Sequence, residues 1–291
     1  MSVLTDCLSP RLLAGTAAFI TGGGSGINLA IAHAFAEVGA DVAICGRSEE
    51  RLERAAQELR ALGGRVATAV ADVRDPEAMN AAISHAAEKI GPLSTIIAGA
   101  AGNFLAPAHD MSSKGFRTVI DIDLLGSFHT ARSAFDQLRT TRGNIQFISA
   151  GQSDNAYLHQ AHVGAAKAGI DSLMRHLAAE WGPYGIRSNA LVPGPIGGTE
   201  GMKRLAAHIG EQPWTDGIAL GRFGTPGEVA AMAVVLASPL ASFVTGARIA
   251  IDGGLALAGS GLVNRALVQA GTVNGQISDG AYSSPRPQVH P

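Results

Sequence analysis

Cysteine is nearly absent from this chain of 291 residues, which contains only Cys7 and Cys45. Their separation matches no metal-ligand spacing, and Cys45 lies within an apolar run. The pair therefore favours a reducing compartment over a disulfide framework, and we expect no metal site.

Charge is also scarce, since charged residues make up 16% of the chain and the formal net charge is −2. A field this weak gives no reason to expect binding to nucleic acid or to an anionic membrane. Hydrophobic residues reach 46%, which is enough for a buried core and argues against a disordered chain. At this length one large domain is the expectation.

Long apolar runs are missing as well, so no segment is expected to span a bilayer. The opening MSVLTDCLSP has no basic stretch followed by the apolar run of a signal peptide. The closing QVHP is not a peroxisomal address of the Ser-Lys-Leu type. We therefore expect a cytoplasmic protein with no membrane association.

Short apolar runs alternate with helix-length stretches along most of the chain. The helical patterns include residues 29–38, 51–62, 77–90 and 170–181, and Ser48 is a predicted N-cap for the second of them. The alternation predicts an α/β fold, a Rossmann-type doubly wound, seven-stranded parallel sheet with helices on both faces. Six predicted strands suit burial on both faces and a seventh follows: 17–20, 42–44, 66–70, 93–98, 145–148, 188–192 and 248–251.

This pattern fades after Gly254. Residues 259–291 contain Gly, Ser, Pro and Gln with no sustained period, which predicts an irregular tail. We therefore expect one domain over residues 1–258 that holds both the cofactor and the substrate. For the tail, a loosely ordered extension and a segment wrapped around a neighbouring subunit both remain open.

A glycine cluster follows the first predicted strand and leads into a helical pattern. Glycines permit a tight turn and let backbone amides approach a pyrophosphate, whose charge suits the start of a helix. Asn28 stands where this fingerprint often has its closing glycine. The alternative is a turn without a ligand, but its place in a β-α-β unit favours a dinucleotide site made by Gly22, Gly24, Ser25, Gly26 and Ile27.

The second predicted strand is followed by Arg47 and Ser48 instead of an acidic residue. An acid there would hold a ribose 2′-hydroxyl, whereas an arginine accommodates a 2′-phosphate through paired hydrogen bonds. The two residues therefore favour NADP(H), and a solvated arginine at a helix start is the alternative. After the third strand, Asp72 and Val73 are predicted at the adenine, with Asp72 accepting from its amine.

The order and spacing of several motifs resemble those of the short-chain dehydrogenase/reductase family over nearly all of residues 10–255. The resemblance implies a nicotinamide site lined by Pro193, Gly194, Pro195, Ile196 and Thr199. It also implies a homotetramer paired through long helices around residues 112–139 and 160–181. The motifs that carry it are Thr21–Ile27, Asp72-Val73, Ala100-Ala101-Gly102-Asn103, Lys167-Ala168-Gly169, Asn189-Ala190, Pro193-Gly194-Pro195 and Ile251-Asp252-Gly253-Gly254.

Most members of that family use an Asn, a Ser and a Tyr, with a Lys four residues after the Tyr. Here Lys167 remains, but Val163 occupies the tyrosine position and Asp123 the asparagine position. The serine position falls on Ala150, or on Ser149 if the alignment slips by one residue. Valine has no exchangeable proton, so the family's standard ketone or alcohol chemistry is in doubt.

One branch of the family, the peroxisomal-type 2,4-dienoyl-CoA reductases, has the same departures, and this chain is similar to it. The missing peroxisomal address suggests a bacterial relative. The motifs shared with this branch include Asp121-Ile122-Asp123, His162 five residues before Lys167, and Gly198-Thr199-Glu200-Gly201. The resemblance implies catalysis by Asp123 and Lys167 with NADPH. Asn103, at the end of the fourth strand, is expected near the substrate. Contacts with coenzyme A are implied for Arg47, Arg74, Phe104, the turn Ser112-Ser113-Lys114, and Arg204.

Several roles stay open at this point. Asp123 orients a water in the implied chemistry, but it could be a carboxylate in a solvent network. Phe104 packs on the acyl chain or is a core aromatic, and the arginines contact phosphates or are solvated. His162 is expected to be structural, because helix geometry turns it away from the Val163 position.

Three functions are compatible with these residues. The first is reduction of 2,4-dienoyl-CoA to 3-enoyl-CoA in the β-oxidation of unsaturated fatty acids, with an acyl-CoA as the substrate. The second is NADP-dependent reduction of a ketone or enoyl substrate with an unusual acid such as Tyr157. The third is nucleotide binding without catalysis, against which Lys167 and the arginines argue.

Overall fold

The computed structural model describes residues 7–203 and 211–260 and confirms the predicted fold class. Seven parallel strands form one sheet in the order β3-β2-β1-β4-β5-β6-β7. The strands are β1 Ala17–Thr21, β2 Asp41–Gly46, β3 Val66–Val70, β4 Thr95–Ala98, β5 Asn144–Ile148, β6 Arg187–Pro193 and β7 Arg248–Ile251.

Helices cover both faces of the sheet, and each face has its own apolar cluster. Residues of α1, α2 and α8 pack in one cluster, and residues of α3, α5 and α6 pack in the other. A π-helical segment, Ile120–Leu125, joins α4 to α5. The helices are α1 Gly26–Glu37, α2 Glu49–Arg60, α3 Pro76–Ile90, α4 Ser113–Val119, α5 Gly126–Thr141, α6 Ala161–Trp181, α7 Gln212–Gly217 and α8 Pro226–Ala237.

The prediction that six strands are buried on both faces is wrong for β3. Val70 is 59% exposed, because β3 lies at one edge of the sheet and has a neighbour on one side only. The central strands β1, β4 and β5 are buried throughout, as predicted. Position within the sheet, and not strand composition, decides this difference.

Helix α6 begins at Ala161, nine residues before the start at residue 170 that the apolar pattern predicted. Small residues in its first half, including Gly164 and Gly169, hid the apolar periodicity. A Cβ on Gly164 would lie 3.0 Å from the carbonyl oxygen of Gln152, and one on Gly169 would lie 2.7 Å from Leu124 Cδ2. Close packing therefore requires the small residues that made this helix hard to predict.

The order of the strands reverses between β1 and β4, and the carboxyl ends of these strands form the crevice where such sheets bind ligands. Thr21 Oγ1 accepts from the backbone N–H groups of Gly99 at 3.0 Å and Ala100 at 3.2 Å. Asn28 Nδ2 donates to the carbonyl of Gly99 at 2.8 Å. These bonds join the two halves of the sheet at the crevice and give Asn28 a function that a glycine lacks.

Ser48 is the N-cap of α2, as predicted, and its hydroxyl accepts from the backbone N–H of Arg51. Over residues 7–203 and 211–260, every helix is too short or too polar to cross a bilayer.

Candidate active site

The glycine cluster makes a tight loop between β1 and α1. Gly22 and Gly26 have φ values of +69° and +59°, a region that favours glycine. A Cβ on Gly23 would lie 2.6 Å from Ile44 Cγ2. Ser25, the N-cap of α1, makes no side-chain capping bond, so its hydroxyl and the first amides of the helix are available to an anion. The loop fits the pyrophosphate of a dinucleotide.

Arg47, Asp72 and Arg74 lie together at the carboxyl ends of β2 and β3. Arg74 Nε and Nη2 donate to the two carboxylate oxygens of Asp72 at 3.0 and 2.5 Å. These bonds, together with the charge of Arg47, hold the pKa of Asp72 below its ordinary value, although burial opposes them. Val73 is buried, and its carbonyl lies 2.9 Å from His129 Nδ1. Arg47 is exposed, as a residue that receives a phosphate must be.

Asp123 and Lys167 meet in the interior, at the carboxyl end of β5. Asp123 Oδ2 lies 3.1 Å from Lys167 Nζ, and Asp123 Oδ1 accepts from the backbone N–H of Gly102 at 2.7 Å. Lys167 Nζ also donates to the carbonyl of Ile148 at 2.9 Å. Asp123 is 1% exposed, which excludes the solvent-network alternative for its carboxylate.

Asp123 reaches this position from the π-helical segment. Single π-helical turns within α-helices are frequent at functional sites, and here the turn carries a buried carboxylate beside a buried lysine. The family resemblance implied a helix around residues 112–139 but gave no sign of this local widening.

The position of the missing tyrosine is filled by hydrocarbon. Val163 is 3% exposed and packs with Val119, Ile120 and Ala166. One turn before Lys167, it lies on the same face of α6 and offers no proton donor there. Ser149 and Ala150 both line the adjacent cavity, and the Ser149 hydroxyl is buried without a hydrogen-bond partner among the described residues.

A cavity of about 260 Å³ opens beside Lys167. The lysine forms part of its wall, and residues predicted at the nicotinamide and pyrophosphate form another part. The structure thus brings one predicted set of cofactor residues next to the predicted catalytic lysine. That set is Ile27, Pro193, Gly194, Pro195, Ile196 and Thr199.

The residues predicted to contact substrate lie outside this cavity. Phe104 is 40% exposed, which excludes a core role, and its ring centroid lies 4.4 Å from that of His162. Asn103 Nδ2 lies 3.5 Å from Gln160 Oε1. The predicted Ser112-Ser113-Lys114 turn is wrong, because Ser112 is the N-cap of α4 and the helix continues through the other two residues. Arg204 lies outside the described residues.

His162 is fully buried at the start of α6, and both ring nitrogens lack a hydrogen-bond partner among the described residues. Burial is the main cause that lowers the pKa of its imidazole. Its contact with Phe104 is consistent with the predicted structural role.

Tyr157, the alternative acid considered from the sequence, lies on the loop after β5 and lines the cavity with Lys167. Burial, together with the charge of Asp252, raises the pKa of Tyr157 above its ordinary value. A raised pKa makes the phenol a poorer proton donor, so the site does not prepare Tyr157 as a substitute acid.

Sequence reasoning missed several residues around the cavity. Trp214 of α7 stacks on Tyr157, and Met202 and Leu255 also contribute to the wall. Arg248 connects three segments, since it donates to Asp171 Oδ2 at 2.6 Å and to Ser153 Oγ at 2.7 Å. The scarcity of tryptophan, with only two in the chain, was the one available signal for Trp214.

Comparison with known proteins places the chain in a class. A family model described as enoyl-(acyl carrier protein) reductase matches residues 22–256. The chain belongs to the short-chain dehydrogenase/reductase family of oxidoreductases, whose members use a nicotinamide cofactor.

Particular relatives narrow the class. The chain is 42% identical over 250 residues to the peroxisomal 2,4-dienoyl-CoA reductase, (3E)-enoyl-CoA-producing, of Saccharomyces cerevisiae, covering 84% of this chain and 86% of that protein. It is 41% identical over 244 residues to the probable 2,4-dienoyl-CoA reductase, (2E)-enoyl-CoA-producing, of Bacillus subtilis, covering 82% and 95%. A crystal structure of a short chain dehydrogenase from Bacillus anthracis superimposes with a TM-score of 0.75 at 37% identity, covering 82% and 96%.

Proposed function

We propose that the protein is an NADPH-dependent 2,4-dienoyl-CoA reductase that forms 3-enoyl-CoA during β-oxidation of unsaturated fatty acids. The observation that carries the proposal is the buried Asp123–Lys167 pair beside Val163, which supplies a carboxylate and an ammonium where a tyrosine would supply a hydroxyl. The names of the relatives from Saccharomyces cerevisiae and Bacillus subtilis support the same substrate class.

The reaction adds a hydride to C5 and a proton to Cα, so the two conjugated double bonds become one between C3 and C4. Bound NADPH supplies the hydride. Negative charge then develops on the thioester oxygen and Cα, where the ammonium of Lys167 stabilises it. No carbonyl oxygen has to be fully protonated in the hydride step, which explains why a valine at position 163 is tolerated.

Asp123 positions the proton donor. Its carboxylate is held by the N–H of Gly102 and the ammonium of Lys167. A water bound to this carboxylate delivers the proton to Cα. The Lys167 ammonium would also hold the nicotinamide ribose by donating to the hydroxyl groups of that ribose.

NADP(H) is the cofactor that the adenosine side favours. Arg47 directly follows β2 in place of an acid, and its charge acts on Asp72 at the edge where a 2′-phosphate would lie. Ser48 adds a hydroxyl next to Arg47, although it also caps α2. Asp72 and Val73 would contact the adenine.

Coenzyme A would lie outside the cavity. A volume of about 260 Å³ is below the roughly 300–1,000 Å³ of sites that enclose a whole ligand. The exposed residues Asn103, Phe104, Ser112, Ser113 and Lys114 lie outside it and would contact the coenzyme A portion, and Arg204 belongs to the same proposal. A cytoplasmic homotetramer with one domain over residues 1–258 completes the proposal, and the predicted tail lies almost entirely outside the described residues, which end at 260.

The direct test follows the dienoyl absorbance of C6 to C12 2,4-dienoyl-CoAs with NADPH or NADH. We expect loss of absorbance matched by NADPH oxidation. Cofactor binding with no turnover on any chain length would favour a nucleotide-binding protein without catalysis. Turnover of ketones or simple enoyl-CoAs alone would favour a different reductase.

The position of protonation needs its own measurement, because the relative from Bacillus subtilis is named for a (2E)-enoyl product. In deuterated water, protonation at Cα places deuterium at C2 of a 3-enoyl-CoA. Deuterium at C4 of a 2-enoyl-CoA would refute the proposed proton path while leaving the substrate class intact.

A further inference from the structure

An aromatic wall closes one side of the cavity. The rings of Tyr157 and Trp214 stack with centroids 6.3 Å apart and an interplanar angle of 17°. The two residues come from different segments, the loop after β5 and the short helix α7, and Leu255 from the segment after β7 lies beside them. The wall therefore forms only when folding brings these distant segments of the chain together.

Charged groups near the wall are already paired. Asp252 accepts from the backbone N–H groups of Gly254 and Ala256 at 2.9 Å each, and Arg248 is paired with Asp154 and Asp171. Trp214 Nε1 is buried and has no hydrogen-bond partner among the described residues. This end of the cavity thus offers ring faces and methylene groups to a ligand, with no unpaired cation among the described lining residues.

The proposed function fixes the direction of the substrate. With the thioester and Cα at Lys167 and Asp123, the carbons beyond C5 extend away from the lysine. None of the cations suited to phosphates lines the cavity: Arg47, Arg74 and Lys114 all lie outside it. The phosphates of coenzyme A would therefore find no contact with these cations at this end.

We infer that Tyr157 and Trp214 form the end wall of the acyl site and set the longest tail that the enzyme accepts. The inference rests on the proposed function and deepens it. The enzyme would accept dienoyl-CoAs whose acyl chains end at these two rings. Longer acyl chains would be excluded because they collide with the rings, and not because they react differently.

The test compares kcat/KM over 2,4-dienoyl-CoAs of increasing length, and the Kd of saturated acyl-CoAs of the same lengths, in wild type and variants. Truncating the ring in Trp214→Ala opens the wall, so we expect the ratio of long-chain to C6 kcat/KM to rise by on the order of tenfold or more. The cut-off in acyl-CoA binding should move to longer chains in parallel.

Two variants keep an aromatic ring at each position. Tyr157→Phe removes only the phenol oxygen and should retain the wild-type length profile. Trp214→Phe exchanges the indole for a smaller ring and should move the length cut-off far less than Trp214→Ala does. Leu240→Ala, which truncates an exposed apolar side chain outside the cavity, serves as the control. Thermal unfolding and NADPH binding verify that each variant is folded.

The inference is overturned if folded Trp214→Ala has the wild-type length profile in both measurements. It is also overturned if Trp214→Phe lowers kcat/KM equally at every length, since the indole N–H would then bind a polar group of the substrate. Failure of the wild type to reduce any dienoyl-CoA would refute the proposed function instead, and the acyl-CoA binding series would still decide whether the wall limits chain length.

Discussion

At the scale of single residues, the site is defined by a buried pair of opposite charges. Asp123 and Lys167 lie 3.1 Å apart and are 1% and 5% exposed. Removing either charge of such a pair leaves the other buried and uncompensated, and an isostere such as asparagine preserves only the shape of the side chain. The two positions can therefore be probed with variants of different severity.

Asp123→Asn and Lys167→Ala should each lower kcat by about 10²–10⁴-fold, the range for loss of a positioned proton-transfer group. Steady-state kinetics on a dienoyl-CoA measures this. Asp123→Asn should still fold, with lower stability than wild type because Lys167 loses its counter-charge, and Asp136→Asn on the surface of α5 is the matched control. Near-normal turnover in both active-site variants would refute the assignment.

Arg47→Ala should raise the KM for NADPH by roughly 10–100-fold and leave that for NADH nearly unchanged. The estimate follows from about 1.5–3 kcal/mol for hydrogen bonds to a charged group. Arg54→Ala, which removes an exposed arginine of the neighbouring helix α2, should change neither. An equal increase in the KM for NADPH and for NADH would show that Arg47 does not bind the 2′-phosphate.

At the scale of elements, the start of α8 supports the loop that lines the cavity. Gly224 pairs with this loop, donating to the carbonyl of Pro195 at 3.0 Å and accepting from the N–H of Gly197 at 2.8 Å. The next residue, Thr225, forms a capping box with Glu228. The cap of the helix and the wall of the site are thus one continuous structure.

Thr225→Ala should lower the free energy of unfolding by roughly 1 kcal/mol, the usual cost of losing an N-cap side chain. Urea unfolding measures it. Thr140→Ala, at an exposed position in the last turn of α5, should change stability by less than about 0.5 kcal/mol. Equal stability of the two variants would mean that the cap does not stabilise α8.

Glu228 adds a dependence on pH. Its hydrogen bond from Arg222 is the main cause that lowers the pKa of Glu228 to about 2. A carboxyl whose pKa is lower in the folded than in the unfolded state stabilises the fold above its ordinary pKa near 4.5, and this contribution is lost as the pH falls towards 2.

Wild type should therefore lose more stability than Glu228→Gln when the pH is lowered from 6 to 3. The difference should be small, because the Glu228 side chain is 43% exposed and the pair is screened by solvent. Urea unfolding at both pH values tests this, and parallel losses in the two proteins would contradict it.

At the scale of the whole molecule, the continuous helical rod formed by α4, the π-helical segment and α5 exposes large apolar side chains. Phe116, Leu125 and Phe128 are 39%, 41% and 43% exposed along it. Association with another copy of the chain would remove such side chains from water. The same rod carries Asp123, so association and catalysis would depend on one element.

We expect a homotetramer in solution, and we expect Phe128→Asp to shift it to smaller species, because a carboxylate at a buried contact is costly to desolvate. Analytical ultracentrifugation measures the change. Leu62→Asp, at a similarly exposed leucine after α2, should leave the mass unchanged. An unaltered mass for Phe128→Asp would place the interface elsewhere.

The sequence by itself determined the order of the elements and the identity of the principal site residues. Alternation of apolar runs predicted the seven parallel strands, because burial on both faces of a sheet requires near-continuous apolar strands. The glycine loop and Arg47 were found because local spacing and chemistry mark them, whereas Asp123 and Lys167 were identified through the resemblance of their motifs to a known family. These features depend on neighbours in the chain.

Only the tertiary structure decided which strands lie at the edges, where α6 begins and what surrounds Lys167. The order of the strands left Val70 exposed, the close approach of Gln152 and Leu124 demanded glycines in α6, and the π-helical turn aimed Asp123 at Lys167. The stacking of Tyr157 on Trp214 was equally beyond prediction. Each depends on the direction of side chains that packing brings together from distant parts of the chain, and local periodicity carries no information about that.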